Sequence, residues 1–393
     1  MKSTEGPAFS RRIERLSSSL IRELLALTQR PGVISFAGGL PACSLMPEID
    51  SDSIPASFRQ YGTTDGEPDL RETVAAMCRE DGLDCEAGQV LITSGSQQGI
   101  DLVAKLFIDE GTVIFVEKPA YLAALQVFGL FGAKIVGIDI RADGLDLDSL
   151  RDKLQDTRPA FLYINPTYQN PTGACYSEAV RIELAALLDA HDIPLIEDNP
   201  YGALSYDGKA PAPVASYLKS ALWTSLGTFS KIAIPAWRIG YMASHPGLAP
   251  YFTKLKQGTD LHTNRPGQWW CNRFLQDRQA YEQYLDELRD FYRTQRDAME
   301  SALQKYFSDF ASWSMPHGGL FFWVSIHTDV DTASLLNEAL ENDVAFLPGS
   351  AFYPQDDAKR DSIRLSFSEV SIADINTGLE KLSRIFRRHA VAA

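Results

Sequence analysis

The chain has 393 residues, of which 45% are hydrophobic and 22% are charged, proportions that are ordinary for a soluble globular protein. Its length exceeds what a single hydrophobic core usually supports, so two domains are expected. The formal net charge of −14 argues against nucleic acid and anionic membranes as partners, because their phosphate groups would be repelled.

The cysteines and histidines show no pattern that would form a disulfide framework or hold a metal. Five cysteines are scattered without CxxC spacing, and the six histidines lack ligand spacing, so no metal site is expected. No apolar run approaches the roughly 20 residues of a membrane span, and the first residues lack the apolar core of a secretory signal. The sequence therefore predicts a cytoplasmic protein.

Seven short apolar runs alternate with amphipathic segments in the middle of the chain. They cover residues 90–92, 113–116, 135–138, 161–164, 194–196, 221–226 and 239–242. Near-continuous apolar strands separated by helical patterns predict a mainly parallel sheet that is covered on both faces. The expected architecture is an α/β domain built on a seven-stranded sheet.

The C-terminal part of the chain has a different pattern. Helical periodicity runs through residues 280–306 and again near 331–341 and 371–388, while strand-like runs lie at 319–324 and 363–367. This mixture predicts a smaller α+β domain, against which the amphipathic segment 18–28 is expected to pack. The predicted boundaries are 45–290 for the large domain, and 1–44 with 291–393 for an N-terminal arm and the small domain.

Polar residues follow several predicted strands, at the sheet edge where α/β proteins bind ligands. The first strand leads into Gly95, Ser96 and Gln97 and then into a helical pattern. Glycine lets the backbone approach a ligand and a helix start offers unpaired N–H groups, so this turn would suit a phosphate. An ordinary strand-to-helix turn capped by serine is the alternative.

Two further strand ends carry Tyr121 and Asn170. The Tyr121 ring could stack on a flat cofactor or simply cover the core. Asn170 belongs to the second of two Asn-Pro dipeptides, which predict turns. Its amide could also donate a hydrogen bond to a phenolate oxygen.

The most informative stretch runs from Thr228 through Ser230 to Lys231, with Arg238 shortly after it and a segment from Asp198 to Tyr201 before it. Together they supply hydroxyls, an amine, a guanidinium, a carboxylate and a phenol. Pyridoxal 5′-phosphate (PLP) needs that set, because its aldehyde binds a lysine, its phosphate binds hydroxyls and an arginine, and its ring nitrogen pairs with an acid. A surface lysine and a loop-capping aspartate are the alternative interpretation.

Lys231 and Arg364 have a chemical role only in a suitable environment. A desolvated Lys231 near Arg238 would have a lowered pKa and could carry a proton between the substrate Cα and the cofactor. Arg364 lies in a late apolar strand, where a buried guanidinium needs an anion. That anion could be the α-carboxylate of a substrate or the partner in a structural salt bridge.

The order of these residues resembles that of the class I and II aminotransferases, PLP enzymes of fold type I. The matching residues are Tyr61, Gly95, Ser96, Gln97, Tyr121, Asn170, Asp198, Tyr201, Ser230, Lys231, Arg238 and Arg364. The resemblance covers nearly the whole chain. Residues 24–32 running into 36–41, together with residues 256–263, are similar to the branch of α-aminoadipate and kynurenine aminotransferases.

The resemblance implies an enzyme that moves an amino group between an L-amino acid and a 2-oxoacid such as 2-oxoglutarate, by a ping-pong mechanism. The donor would be of the 2-aminoadipate, glutamate, aromatic or branched-chain type. It also implies a homodimer with shared active sites, in which Tyr61 reaches the phosphate of the neighbouring subunit. Arg22 matches the arginine that contacts a distal carboxylate in aminoadipate-type members.

The resemblance also assigns roles at the cofactor. Lys231 would form the Schiff base with PLP, Asp198 would pair with the ring nitrogen, and Tyr201 with Asn170 would contact the O3′ atom. The phosphate would be surrounded by Ser96, Gln97, Thr228, Ser230 and Arg238. Tyr121 would stack on the ring, while the substrate would contact Gly39, Asn170 and Arg364.

Two residues depart from the family pattern. Ala236 stands where a glycine usually precedes the phosphate-binding arginine, so the turn before Arg238 must avoid positive φ or carry strain. Tyr168 adds a bulky side chain to a loop that often faces the substrate. Both departures bear on substrate specificity more than on the chemistry.

Three other functions are alternatives. A PLP-dependent β-lyase on the same fold would share every cofactor contact, and the sequence does not separate it from an aminotransferase. A PLP-sensing transcriptional regulator would need a DNA-binding module, for which the residues before the motifs are too few. A nicotinamide-dependent dehydrogenase is disfavoured because no GxGxxG follows an early strand.

Overall fold

The computed structural model describes residues 9–15, 32–49, 53–327, 329, 331–354 and 359–389. Its strands are β1 (Ile34–Ser35), β2 (Val90–Thr93), β3 (Val113–Lys118), β4 (Lys134–Arg141), β5 (Gly144–Leu145), β6 (Leu162–Ile164), β7 (Leu195–Asp198), β8 (Trp223–Thr228), β9 (Gly240–Ser244), β10 (Ala311–Trp313), β11 (Phe321–Ile326), β12 (Val344–Ala345), β13 (Leu347–Pro348) and β14 (Ser362–Ser366). Its α-helices are α1 (Pro68–Glu80), α2 (Ser96–Phe107), α3 (Leu122–Phe131), α4 (Leu147–Asp156), α5 (Glu178–His191), α6 (Ala249–Gln257), α7 (Arg265–Gln276), α8 (Arg278–Phe307), α9 (Leu336–Glu341) and α10 (Ile372–Arg387). The predicted segment 18–28 lies outside the described residues.

The large sheet has the strand order β2-β9-β8-β7-β6-β3-β4-β5. From β8 to β4 the neighbours are parallel, whereas β9 and β5 run antiparallel to the strands beside them. All seven predicted runs form strands of this sheet, so the mainly parallel arrangement is confirmed. The structure adds an eighth strand, β5, which folds back on β4. A strand of two residues is too short to show a periodic hydrophobic pattern, so the sequence does not reveal β5.

Both faces of the large sheet are buried, as near-continuous apolar strands require. In β2, Val90 and Ile92 join one apolar cluster while Leu91 joins the other. In β3, Phe115 lies on the first face and Ile114 on the second. Successive residues of a strand point to opposite faces, so each strand supplies both layers of the core.

The C-terminal part forms a second sheet with the order β10-β11-β14-β13, all antiparallel. The long helix α8 packs against α10, and β1 from the N-terminal part pairs with β12. The predicted helices and strands of this part are therefore present. The predicted domain boundary at residue 290 falls inside α8, and the division into two domains stays a prediction.

The carboxyl ends of β2, β3, β6, β7 and β8 lie at one edge of the large sheet, because these strands share one direction. The amino end of β9 lies at the same edge, since β9 runs antiparallel between β2 and β8. The sequence segments chosen for their polar residues therefore converge there. In the described part of the chain, no helix is long and apolar enough to cross a membrane.

Candidate active site

A cavity of about 260 Å³ lies at this edge of the sheet. Its lining comprises Ala37, Gly38, Gly39, Leu40, Ser96, Gln97, Tyr121, Asn165, Asn170, Asp198, Pro200, Tyr201, Thr228, Ser230, Lys231, Arg238, Phe321 and Arg364. All the predicted site residues are in this set except Tyr61 and Arg22. A volume of this size is close to that of small-molecule sites in general.

Lys231 follows β8 and is partly buried, with its Nζ donating a hydrogen bond to the Gly39 carbonyl at 2.8 Å. Burial lowers the pKa of this amine to about 8, the positive charges of Arg364 and Arg238 lower it as well, and Asp198 acts in the opposite direction. A larger neutral fraction at physiological pH makes the amine a better nucleophile and base than an ordinary lysine.

Asp198 is the last residue of β7 and is buried. Its Oδ2 atom accepts a hydrogen bond from the Tyr163 hydroxyl at 2.8 Å, whereas its Oδ1 atom is buried with no partner among the described residues. Burial raises the pKa of this carboxyl to about 7, and the Tyr163 hydrogen bond and the Lys231 charge offset part of that rise. A buried carboxylate oxygen without a donor is costly, so Oδ1 is suited to a donor supplied by a ligand.

Arg238, Ser230 and the start of α2 form an anion cradle in the cavity lining. Arg238 Nη1 donates to Ser230 Oγ at 3.1 Å, and Arg238 Nη2 donates to the Ser94 carbonyl at 3.3 Å. The Thr228 hydroxyl lies 3.1 Å from Ser230 Oγ. Gly95 has a φ of +82°, and a Cβ at this position would lie 2.5 Å from Arg238 Nη2. The glycine thus brings the start of α2 close to the guanidinium, and the unpaired N–H groups there favour an anion.

The turn before Arg238 resolves the question raised by Ala236. Residues Pro235–Trp237 form a 3-10 turn, and the positive φ of 54° falls on Arg238 itself. Ala236 is not among the residues with positive φ. The absence of glycine is therefore accommodated by moving the left-handed conformation to the arginine.

Tyr168 does not face the cavity, contrary to what its loop position suggested. Its φ is 52°, and its hydroxyl is hydrogen-bonded to Ser205. The ring packs where Gly318 leaves room, since a Cβ on Gly318 would lie 2.4 Å from the Tyr168 ring. Because Tyr168 does not line the cavity, its bulk does not narrow the described site.

Three neutral polar residues complete the middle of the cavity. Tyr121 precedes α3, and its hydroxyl donates to Gln97 Oε1 at 3.4 Å. The Tyr201 ring lies 5.9 Å from Lys231 Nζ, and burial raises the pKa of its phenol. Asn170 is next to Arg364, and its Oδ1 atom accepts a hydrogen bond from the Arg364 guanidinium.

Arg364 is a buried cation on β14. Its Nη1 atom donates to Asn170 Oδ1 at 2.8 Å and its Nη2 atom to the Ala37 carbonyl at 2.7 Å, while its Nε has no partner among the described residues. The guanidinium lies 4.1 Å from the Phe321 ring centroid and 5.1 Å from that of Phe352. Burial lowers its pKa to about 10.

Among the described residues, the ion pairs include no carboxylate partner for Arg364. Its neutral acceptors satisfy hydrogen bonds without compensating the charge. A buried guanidinium of this kind favours a bound anion.

Two predicted site residues lie elsewhere. Tyr61 is 75% exposed and is not part of the cavity lining, and its ring packs edge-on against His262 at 5.7 Å between centroids. Its predicted contact with a neighbouring subunit stays a prediction. Arg22 lies outside the described residues, and so does its predicted role.

Three further residues of the site are marked weakly or not at all in the sequence. Asn165, the first residue after β6, donates to the Asp198 carbonyl and accepts from the Asn170 backbone N–H at 2.9 Å. Its Asn-Pro dipeptide, which predicts a turn, is the signal in the sequence that points to Asn165. Tyr163 and Phe321 lie within apolar runs, where nothing in the pattern marks the Asp198 partner or the ring beneath Arg364.

Comparison with known proteins identifies the family. The sequence profile described as "Aminotransferase class I and II" matches residues 44–382. The chain belongs to the class I and II aminotransferases. The aminotransferase is 35% identical to aromatic-amino-acid aminotransferase 1 of Thermococcus litoralis, over 96% of this chain and 94% of that protein. It is 34% identical to 2-aminoadipate transaminase of Thermus thermophilus, over 97% and 96%.

The fold comparison agrees with the sequence comparison. The structure of the Pyrococcus horikoshii kynurenine aminotransferase in complex with PMP matches with a TM-score of 0.90 and 34% identity, covering 97% of each chain. The aminotransferase thus has PLP fold type I, its cofactor is PLP, and it belongs to the aminoadipate and kynurenine branch.

The described residues fit this cofactor on their own evidence. PLP carries a ring N–H, and Asp198 Oδ1 lacks a donor. PLP carries a phosphate, and the start of α2 with Arg238 and Ser230 forms an anion cradle. Its aldehyde requires an amine, and Lys231 lines the same cavity with a lowered pKa.

Proposed function

We propose that the aminotransferase transfers an amino group from an L-amino acid to a 2-oxoacid such as 2-oxoglutarate, with Lys231 as the acid–base residue and Arg364 as the carboxylate-binding residue. One observation carries the substrate class. A buried arginine with no carboxylate partner among the described residues lines the same cavity as a lysine of lowered pKa. That arrangement suits a molecule with an α-amino group next to an α-carboxylate.

Lys231 has the properties of the proton carrier. Bound PLP supplies an aldehyde for the substrate amine and a ring that accepts electron density from Cα. When it is not linked to the cofactor, the neutral Lys231 Nζ would take the proton from the substrate Cα and hold it as an ammonium. The lowered pKa of the amine gives it a larger basic fraction near neutral pH than an ordinary lysine has.

Asp198, Asn170 and Tyr201 tune the cofactor in this proposal. A negative Asp198 holds a proton on the ring nitrogen, which keeps the ring electron-withdrawing. Asn170 and Tyr201 would contact the O3′ oxygen, and Tyr121 would stack on the ring. The support for Asp198 is its buried Oδ1 atom, which has no hydrogen-bond partner in the described part of the chain, and the support for the others is their position in the cavity lining.

The phosphate and the substrate occupy opposite ends of the proposed site. The phosphate contacts are Ser96, Gln97, Thr228, Ser230 and Arg238, which share the cavity end beside α2. Arg364 holds the α-carboxylate with its planar fork, assisted by Asn170 and by Gly39. A Cβ on Gly39 would lie 2.9 Å from Phe321, so this position accepts only a glycine without rearrangement.

The donor class is proposed from the relatives, whose names specify aromatic amino acids and 2-aminoadipate. We expect an aromatic or 2-aminoadipate donor. Arg22 would bind the distal carboxylate of a donor such as 2-aminoadipate. Arg22→Ala should then reduce kcat/KM for 2-aminoadipate and glutamate more than for leucine or an aromatic donor. Equal losses across the donors would remove Arg22 from this role.

The oligomeric state and the location are proposed on separate grounds. A homodimer would give the exposed Tyr61 ring a partner at the phosphate of the neighbouring subunit. The cysteines of the described residues are all free thiols, which agrees with a cytoplasmic location. Sedimentation of the holoenzyme tests the dimer, and PLP affinity of Tyr61→Phe tests the contact.

The experiment that tests the proposal is Lys231→Ala, with the exposed Lys219→Ala as a matched control. The wild-type and control proteins should be yellow and active with 2-oxoglutarate, whereas Lys231→Ala should have no measurable transamination. A Lys231→Ala protein with wild-type kcat would refute the assignment. A donor panel without an oxoacid separates the alternatives, since pyruvate and ammonia release would indicate a β-lyase.

A further inference from the structure

Lys256 is a buried lysine that no step of the proposed chemistry uses. It lies near the end of α6, and its side chain is 0% exposed. Its Nζ atom donates to both carboxylate oxygens of Asp260, at 2.8 and 3.0 Å, and to Gln98 Oε1 at 2.9 Å. All three donor positions of the ammonium are therefore occupied.

The network continues from Lys256 to the turn before α2. Gln98 Nε2 donates to Asp260 Oδ2 at 2.7 Å, and Gln98 Oε1 accepts from the Ser94 backbone N–H at 2.8 Å. The Ser94 hydroxyl lies 3.3 Å from Asp260 Oδ2. Ser94 is thus held through both its backbone and its side chain.

Ser94 connects this network to the anion cradle. Its carbonyl accepts from Arg238 Nη2 at 3.3 Å, and the next residue is Gly95, whose closeness to Arg238 leaves no room for a side chain. A shift of Ser94 would therefore move both the guanidinium and the first N–H groups of α2. These are the groups that would meet the phosphate.

Two effects on the pKa of Lys256 oppose each other. Burial lowers the pKa of Lys256, while Asp260 raises it through a hydrogen bond and its charge. The ion pair joins a buried ammonium to a partly exposed carboxylate, and an ion pair that takes a charge out of water adds little to stability compared with apolar residues of similar size. Its hydrogen bonds do, however, fix one geometry, which is what a binding site needs from its surroundings.

We propose that Lys256, Asp260 and Gln98 form a positioning cluster that sets the affinity for the PLP phosphate without touching it. The inference rests on the proposed phosphate site at Arg238. The segment 256–263, which carried part of the sequence resemblance, thereby has a physical role. The cluster determines where Ser94 and the start of α2 lie, and the cradle depends on both.

The test compares Lys256→Met with Lys254→Met, a change at an exposed lysine of the same helix. The apo-enzymes are titrated with PLP by absorbance, and the 31P NMR shift of bound PLP reports the phosphate environment. Lys256→Met should raise the Kd by about tenfold, which corresponds to roughly 1.4 kcal/mol, and should move the 31P signal. Lys254→Met should leave both at wild-type values, and kcat at saturating PLP should change little.

A structural role alone would give a different result. It would lower the thermal stability of apo Lys256→Met while leaving the Kd and the 31P signal of the folded protein unchanged, and that outcome would overturn the proposal. Should Lys256→Met not fold, Gln98→Leu breaks the same connection at a partly exposed residue. An unchanged Kd in Gln98→Leu would equally overturn it.

Arg238→Met separates this inference from the proposed phosphate site. If Arg238→Met leaves the PLP affinity unchanged, the phosphate site itself is wrong. If Arg238→Met weakens binding but Lys256→Met and Gln98→Leu do not, the phosphate site stands and only the positioning cluster is refuted.

Discussion

Replacing Tyr163 by phenylalanine tests how the aminotransferase controls Asp198. Tyr163 is fully buried in β6, and its hydroxyl makes the 2.8 Å hydrogen bond to Asp198 Oδ2. This bond lowers the pKa of the carboxyl against the effect of burial. Tyr163→Phe removes the bond and leaves both carboxylate oxygens of Asp198 dependent on the ligand.

The expected magnitude follows from that single bond. A hydrogen bond to a charged group contributes about 1.5–3 kcal/mol, which corresponds to a loss of about 10- to 100-fold in kcat/KM if it acts fully on the reaction. The sign of the pH effect is also fixed. Because the bond lowers the Asp198 pKa, its loss raises that pKa, and the acid limb of the kcat/KM profile should move to higher pH.

Tyr176→Phe is the matched control. Tyr176 is also fully buried, and its hydroxyl donates to Glu117 Oε1 at 2.6 Å. Both variants should lose a similar free energy of unfolding, measured by denaturant titration, since each breaks one buried bond to a carboxyl group. Only Tyr163→Phe should shift the pH profile. Identical pH–rate profiles for the two variants would refute the reasoning.

Three further outcomes are expected. Gly95→Ala should weaken PLP binding by at least about tenfold, because the new Cβ would lie 2.5 Å from Arg238 Nη2; a wild-type Kd in the PLP titration would contradict this. Arg364→Lys should raise KM for the amino donor more than it lowers kcat, since an ammonium lacks the bidentate fork; steady-state kinetics with an unchanged KM would count against it. Burial raises the Glu117 pKa from 4.5 to about 7, so the native state keeps a proton that the unfolded chain loses, and this group's contribution to stability falls as pH rises through that window. Glu117→Gln should therefore flatten the decline of Tm with pH between those values, and parallel Tm curves for the two proteins would disprove it.

The sheet and most of the site could be predicted because both depend on local patterns. Apolar runs identify strands, and parallel strands bring their carboxyl ends to one edge. Residues as distant in sequence as Gln97 and Lys231 therefore meet in one cavity. The resemblance to a family then supplied the roles that the pattern alone left open.

The parts that could not be predicted depend on contacts between distant segments. Tyr163 is one residue of an apolar run, and only the register of β6 beside β7 brings its hydroxyl to Asp198. Phe321 lies under Arg364 because β11 and β14 pair with one particular offset. The boundary predicted at residue 290 lies within α8 and stays a prediction.

Three consecutive peptide carbonyls next to the cavity have a consequence for ligand affinity. Ala37 and Gly38 accept hydrogen bonds from Arg364, and Gly39 accepts one from Lys231. These backbone carbonyls thus compete with the substrate carboxylate and the cofactor for the donors of Arg364 and Lys231. Binding exchanges one set of acceptors for another, so the measured affinity reflects a difference between the two sets. Neutral carbonyls are weaker acceptors than charged oxygens, and this contrast lets an anion displace them while a neutral analogue of the same shape gains little.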